Sequence, residues 1–267
     1  MAERLAVYRS LVAASVRSQL AYPASFALQC AAQALVQLQD MVVILVLFSR
    51  VSEMGGFTRQ EALLIFSLAG ISFGLADMLV GQLDKVGQLV RTGTLDALLL
   101  RPLSSMAQIC VSDFALRRLG KVGTALAVLG YVLATSDISW TPLRVTVLLI
   151  TPLTGLVLLG AIWVAASATT FWLVEGAELP NAVTYGSGMF TSYPVSIYSG
   201  WLLRLMAFAI PGAFVAYYPA LAILGKPDPL GLPWIMQYSA PLVAVLAAGV
   251  AALAWRVGLR HYVGTGS

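Results

Sequence analysis

The sequence predicts an all-α protein that crosses a lipid bilayer several times. Three observations carry that prediction. Of the 267 residues only 10% are charged, against roughly 25% in soluble domains. Hydrophobic residues make up 59%, and mean hydropathy is +0.85. Five segments, roughly 24–48, 60–81, 119–137, 143–172 and 234–256, each hold about 20 mainly apolar residues, the length a helix needs to span hydrocarbon. Peptide groups find no water inside the bilayer, so each segment should be a helix. The composition excludes an ordinary soluble enzyme, a disordered chain and a nucleic-acid binder. The net charge of +4 belongs in cytoplasmic loops rather than on a DNA-binding face.

The first element lies before the first span. Leu5, Tyr8, Val12 and Val16 recur at helical spacing, so residues 4–21 read as an interfacial amphipathic helix. Arg4, Arg9 and Arg17 interrupt the apolar run, which argues against a signal peptide. Pro23 separates this helix from the first span.

The stretch 180–233 is decided by parity. Both ends of the chain are rich in Arg and are expected inside, so the number of crossings must be even. Five spans are already assigned, and one more crossing remains. Residues 177–197 are read as the fifth of six spans. Residues 199–224, broken by Pro211 and Pro219, are read as a re-entrant helix pair on the outer side. This topology puts 11 of the 16 basic residues in inside segments and 5 outside. No linker or repeat divides the chain, so residues 1–267 are expected to form a single membrane domain.

The cytoplasmic segment 82–102 separates spans two and three. Helical spacing puts Leu83, Val86 and Val90 on one face, with Asp84, Lys85 and Arg91 elsewhere. Thr92 and Gly93 break the helix, Thr94 is expected to cap a second one with Asp96 in its first turn, and Pro102 ends it after Arg101. Two short helices about a Gly turn make a rigid knob. It serves either as a docking element for a cytoplasmic partner or as a loop resting on headgroups.

The string VRTGTLDALLLRPLS (90–104) resembles the segment after span two in permeases of type-2 ABC exporters, in the branch of about 260-residue, six-span chains. Four further stretches are similar in order and spacing: YPASF (22–26), GGFT (55–58), SATTFWLVEGAE (167–178) and YPVSIYSGWLLRLMAFAIPGAFVAYYPALAILG (193–225). WRVGLRHYVGTGS (255–267) completes the set. The resemblance implies six spans, an N-terminal interfacial helix, a coupling helix at 82–102 and outer re-entrant helices before span six. It also implies export of a small or amphipathic compound across a bacterial cell membrane, with both termini cytoplasmic. The complex it implies holds two permeases, identical or related chains, and two ABC ATPase subunits that carry ATP and Mg.

The chain's own residues fit that division of labour. No phosphate-binding loop is present: the nearest strings, LGKVGT (119–124) and LGKPDP (224–229), lack the upstream Gly and the hydroxyl after Lys. Energy must therefore come from a separate ATPase or an ion gradient. No metal site or catalytic triad is expected, because His261 is the single histidine. Cys30 and Cys110 read as small buried hydrophobes.

Polar groups inside spans mark the candidate path. Gln29, Gln33, Gln37 and Asp40 share one face of span one and either line a hydrated path or hydrogen-bond to another helix. Asn181, Thr184, Tyr185 and Thr191 make span five the most polar. Gly70, Gly74, Asp77 and Gly81 give span two a small-residue packing face, with Asp77 near the cytoplasmic interface. Asp113 and Arg117 are expected to form a surface pair. Glu175 and Glu178 sit at the turn before span five, either gating entry or simply solvated. Trp201, Phe208, Phe214, Tyr217 and Tyr218 suit an outer aromatic belt. The competing reading is an ion-driven secondary transporter using Asp40 or Asp77.

Overall fold

The structure is a computed structural model that describes residues 2–112, 114–173, 178–198, 201, 205 and 210–262, with side chains described from residue 7. It is all-α apart from one tiny hairpin. Helix α1 spans Ala2–Leu20 and α2 spans Pro23–Phe48, with Pro23 in the first turn, where a missing N–H does no harm. Strands β1 (Glu53–Met54) and β2 (Phe57–Thr58) are joined by Gly55 and Gly56, both at positive φ, as a tight two-residue turn requires. Helix α3 (Arg59–Val80) follows directly, and the Thr58 N–H donates to Glu61 Oε2 at 2.8 Å to close its first turn. After a 3-10 turn at Gly81–Lys85 come α4 (Val86–Arg91), α5 (Thr94–Leu99) and α6 (Ser105–Ser112). The chain continues through α7 (Leu119–Thr135), α8 (Pro142–Ala168), α9 (Glu178–Thr191), α10 (Tyr217–Leu224) and α11 (Ala240–His261).

Four stretches are long and apolar enough to cross a membrane: Pro23–Phe48, Arg59–Arg91, Pro142–Phe171 and Ala240–His261. The other two expected spans are shorter, at 17 residues in α7 and 14 in α9. Prolines explain the length of α9. Pro180 is tolerated only in the first turn, and Pro194 keeps the preceding residues out of helical geometry. Proline also corrects the start of the last helix. Trp234–Tyr238 form a 3-10 turn, and α11 begins at Ala240 because Pro241 must sit in its first turn. Of the expected re-entrant pair, the described part is Trp201, Leu205, a 3-10 turn at Gly212–Phe214 and the buried α10; Arg204 and Phe208 lie outside the described residues.

Helix α3 is the axis of the fold. Its apolar window is 78% buried, against 11% for α2. A helix hydrophobic all round has to be wrapped, and glycines let the wrapping helices close in. A Cβ at Gly70 would meet Gln37 Nε2 at 2.6 Å, and one at Gly74 would meet Val122 at 2.6 Å. Gly188 of α9 sits against the Phe73 ring, and Gly155 of α8 against Ser72. Close approach of this kind is how helices associate where hydrophobic burial gives little drive.

Helix ends gather at two poles. At one pole, Ser196 Oγ donates to Gly55 O at 2.6 Å, Gln60 Nε2 to Thr135 O at 3.3 Å and Gln237 Nε2 to Lys226 O at 2.9 Å. Lys226 also pairs with Glu61 at 2.7 Å there. At the other pole lie the α4–α6 knob, the 5.2 Å Phe171–Trp255 ring contact and the 5.8 Å Trp172–His261 contact. Helix α1 joins this second pole. Tyr8 Oη accepts from the Ser104 N–H at 3.0 Å, and Ser15 Oγ from the Phe114 N–H at 3.1 Å. Its Tyr8–Val12–Val16 stripe is half-buried, while Val7, Leu11 and Leu20 face outward.

Two glycines on α7 should behave oppositely. A Cβ at Gly120 would run into the Cys30 carbonyl oxygen of α2, whereas Gly123 has nothing within 4 Å. Gly120→Val is expected to destabilise the detergent-solubilised chain by about 1–3 kcal/mol through overpacking. Gly123→Ala is expected to be neutral or to gain up to about 1 kcal/mol. Thermal unfolding of the two variants beside the parent checks both signs.

Candidate translocation cavity and the knob

A cavity of about 340 Å³ opens between α2, α3, α9 and the head of α7. One face of α2 supplies Gln33, Gln37 and Asp40, because positions 33, 37 and 40 recur at the helical period. Helix α3 supplies Phe73 and Asp77, and Tyr185, Ser192 and Tyr193 close the side formed by α9 and the residues after it. Two cations, Arg118 and Lys121, enter from the start of α7.

These charges are arranged rather than scattered. Asp77 is buried and lies 2.8 Å from Arg118 Nε. Arg118 Nη1 also donates to Gln33 Oε1 at 2.8 Å, so one guanidinium joins α3, α7 and α2. Lys121 Nζ stands 4.3 Å above the Phe73 ring, a cation–π distance. Gln37 is 1% exposed, and its Oε1 has no partner among the described residues.

The first-span face thus contributes three of its four candidates, while Gln29 stays outside and bonds to Ser25 Oγ at 3.3 Å. Of the four span-five candidates only Tyr185 lines the cavity. Thr184 and Thr191 turn their hydroxyls back to Pro180 O at 2.9 Å and Gly188 O at 3.0 Å, and Asn181 is half-buried off the cavity. Sequence reasoning placed Asp77 near the cytoplasmic interface and counted Arg118 and Lys121 among the inside cations; the structure buries Asp77 in the bundle, with Arg118 and Lys121 half-buried beside it. Arg118 and Lys121 lie three residues apart at the edge of an apolar run, and that one-face spacing was the available signal.

The knob packs through Leu83, Val86, Val90 and Leu95, all buried. Asp84 differs from expectation. It faces the bundle, where its Oδ1 accepts from Trp163 Nε1 at 2.7 Å and its Oδ2 from the Tyr185 hydroxyl at 3.4 Å. The cap of α5 also differs: Gly93, at φ 67°, occupies the N-cap, and Thr94 is the first helical residue with its hydroxyl 2.8 Å from that of Thr92. A positive φ suits Gly and disfavours Thr, so the cap falls one residue earlier. Lys85, Arg91, Thr94, Arg101 and Pro102 are exposed, and Asp96 is half-buried. Leu100, at 87% exposed, is an apolar tip that the sequence reading passed over. Asp113 and Glu175 lie outside the described residues; Glu178 is exposed in the first turn of α9.

The family profile described as "ABC-2 family transporter protein" matches residues 34–266. The chain belongs to the ABC-2 family of transporter membrane proteins. No curated protein and no solved structure matches it. An ABC-2 membrane protein is a transport permease subunit rather than an enzyme, and the family generally works with an ABC ATPase. In this ABC-2 permease the matched region takes in the cavity, the knob and the last helix, and only Gln29 and Gln33 of the candidate residues precede it.

Two variants test the charge arrangement. Arg118→Gln leaves the Asp77 carboxylate buried without its cation, and breaking a buried pair in this way costs about 3–5 kcal/mol. The double variant Asp77→Asn/Arg118→Gln removes the stranded charge and is expected to recover much of that loss in thermal unfolding.

The thiol on α6 gives a second test. Burial pushes Cys110 up to about 11, so it is a neutral, sluggish thiol at physiological pH. In a Cys30→Ser background, maleimide labelling of Cys110 is expected to keep rising between about pH 9 and 10.5 instead of levelling off near the ordinary thiol value.

Proposed function

We propose that this permease exports a small or amphipathic compound by alternating access, driven by a separate cytoplasmic ABC ATPase that acts on residues 82–102. The observation that carries the proposal is the direct junction of knob and cavity: Asp84 of the knob is hydrogen-bonded to Tyr185, a cavity-lining residue. ATP and Mg belong to the partner chains, two of them, and a second permease, identical or related, completes the path. Residues 1–267 act as one membrane domain in the cell membrane of a bacterium.

In this reading α2, α3, α7, α8, α9 and α11 are six crossings, α1 is the interfacial helix, and α10 belongs to an outer re-entrant segment. Support comes from the alternation of successive helix ends between the two poles, which returns both chain ends to the knob side. The 3-10 turn at Leu116–Arg118 runs straight into α7 and lengthens it, whereas Val195–Ile197 is set off from α9 by residues 192–194. Of the two acids that the ion-driven alternative would use, Asp77 is already paired with Arg118, and Asp40 lines the cavity.

The test is purification of the tagged chain in mild detergent, followed by mass spectrometry and a vanadate-sensitive ATPase assay on the eluate. A stoichiometric ABC ATPase is the expected companion. Leu100→Asp, which changes an exposed side chain, is expected to cut the co-purified ATPase about tenfold, equivalent to 1.4 kcal/mol, without lowering membrane abundance. Transport that persists in a chain eluting without any ATPase sinks the proposal.

A further inference from the structure

Among the described residues the knob meets the bundle through apolar packing and through the Asp84 carboxylate. Leu83, Val86 and Val90 bury their side chains, but packing of that kind has no direction. Asp84 has direction. Its two oxygens receive donors from two different helices: Trp163 Nε1 of α8 at 2.7 Å and the Tyr185 hydroxyl of α9 at 3.4 Å.

The two donors belong to one aromatic cluster. Trp163, Tyr185 and Phe73 pack in a triangle, with ring centroids 5.4 Å apart for Phe73–Trp163, 6.0 Å for Phe73–Tyr185 and 5.7 Å for Trp163–Tyr185. Phe73 and Tyr185 both line the cavity, and the Phe73 ring carries Lys121 on its face. Trp163 is 1% exposed, and Asp84 is the acceptor of its N–H. A buried indole N–H without an acceptor is unfavourable. The knob therefore cannot shift by much more than a hydrogen-bond length without forcing the three rings to repack. Packed rings of this kind rearrange between discrete arrangements rather than deforming smoothly.

We infer that Asp84 is the positioning residue through which movement of the knob reshapes the cavity, by holding Trp163 and Tyr185 in the arrangement that forms the cavity wall. The inference rests on the permease reading above. Loss of the Asp84 acceptor frees the cavity wall from the knob, so nucleotide events at the ATPase no longer reach the cavity.

The test needs no identified substrate. In a Cys30→Ser/Cys110→Ser background, Ser192→Cys places a reporter thiol on the cavity wall. The complex of permease and ATPase is reconstituted in nanodiscs. Labelling by a water-soluble maleimide is timed without nucleotide and after trapping with ATP and vanadate. The parent is expected to show a labelling rate that differs between the two states by about tenfold, the scale of one hydrogen bond to a charged group. Asp84→Ala and Trp163→Phe, the latter removing only the N–H, are expected to bring that ratio close to one while ATP hydrolysis persists. Asp84→Asn keeps a carbonyl oxygen for Trp163 and is expected to retain most of the ratio.

Variants that lower thermal stability but leave the ratio unchanged make Asp84 a merely structural residue and overturn the inference, while the permease reading stands. A parent whose labelling ignores nucleotide overturns the permease reading itself, and the inference with it.

Discussion

A carboxylate enclosed by apolar helices has to be neutralised, and in this protein Asp77 is neutralised by Arg118. Much of the bundle's arrangement depends on that pairing. Arg118 is drawn inward from the start of α7, at the knob pole, next to the contacts of Gly120 with the backbone of α2 and of Val122 with Gly74 of α3. The same guanidinium reaches Gln33, so α2 is held at the depth where Gln37 and Asp40 face the cavity. The pair is bonded to all three helices, and small-residue contact alone gives little preference for one register over another.

The cavity follows from the same constraint. Ionisable groups in a membrane protein persist where they meet each other or water. Lys121 and Asp40 line a cavity of about 340 Å³, large enough to hold water. A polar, charge-balanced chamber among helices this apolar has an evident use in a transport subunit and little use in a purely structural one. The wrapping of α3 is then the scaffold: it can be buried on every side because its neighbours close in through glycine and because its own polar group is answered.

Composition was enough to read the class of fold, and the face at positions 33, 37 and 40 was legible from spacing alone. The buried stripe Leu83–Val86–Val90 was legible too. The prolines that bound α9 and delay α11 were visible, but hydropathy outweighed them in setting the spans. Gly55–Gly56 between Met54 and Phe57 carried a hairpin signal that an all-helical reading did not use. The inward turn of Arg118 and Lys121 was not legible, for a physical reason. A cation at the edge of an apolar run is equally a marker of the cytoplasmic side and a group able to turn inward, and the choice depends on an acid 41 residues earlier, at position 77. Trp163 was hidden for the opposite reason: it counts as apolar, yet its single N–H decides where Asp84 points.

Asp77 and Asp84 divide the bundle between them. The first carboxylate ties α3 to α7 and, through Arg118, to α2. The second ties the turn that continues α3 to α8 and α9. A single run of chain, α3 leading into the knob, is therefore bonded to both sides of the cavity, at points seven residues apart. The ABC-2 family generally works with an ABC ATPase, so on the proposed reading the work of transport arrives from a partner chain. A force applied at the knob reaches Asp84 first and the α8–α9 side with it. The α2–α7 side is bonded further up, to a pair sealed inside the bundle. The two sides of the cavity are thus coupled unequally to the same lever. That inequality is what opening one side of a cavity against the other requires, since a lever that moved both walls together would leave the cavity unchanged.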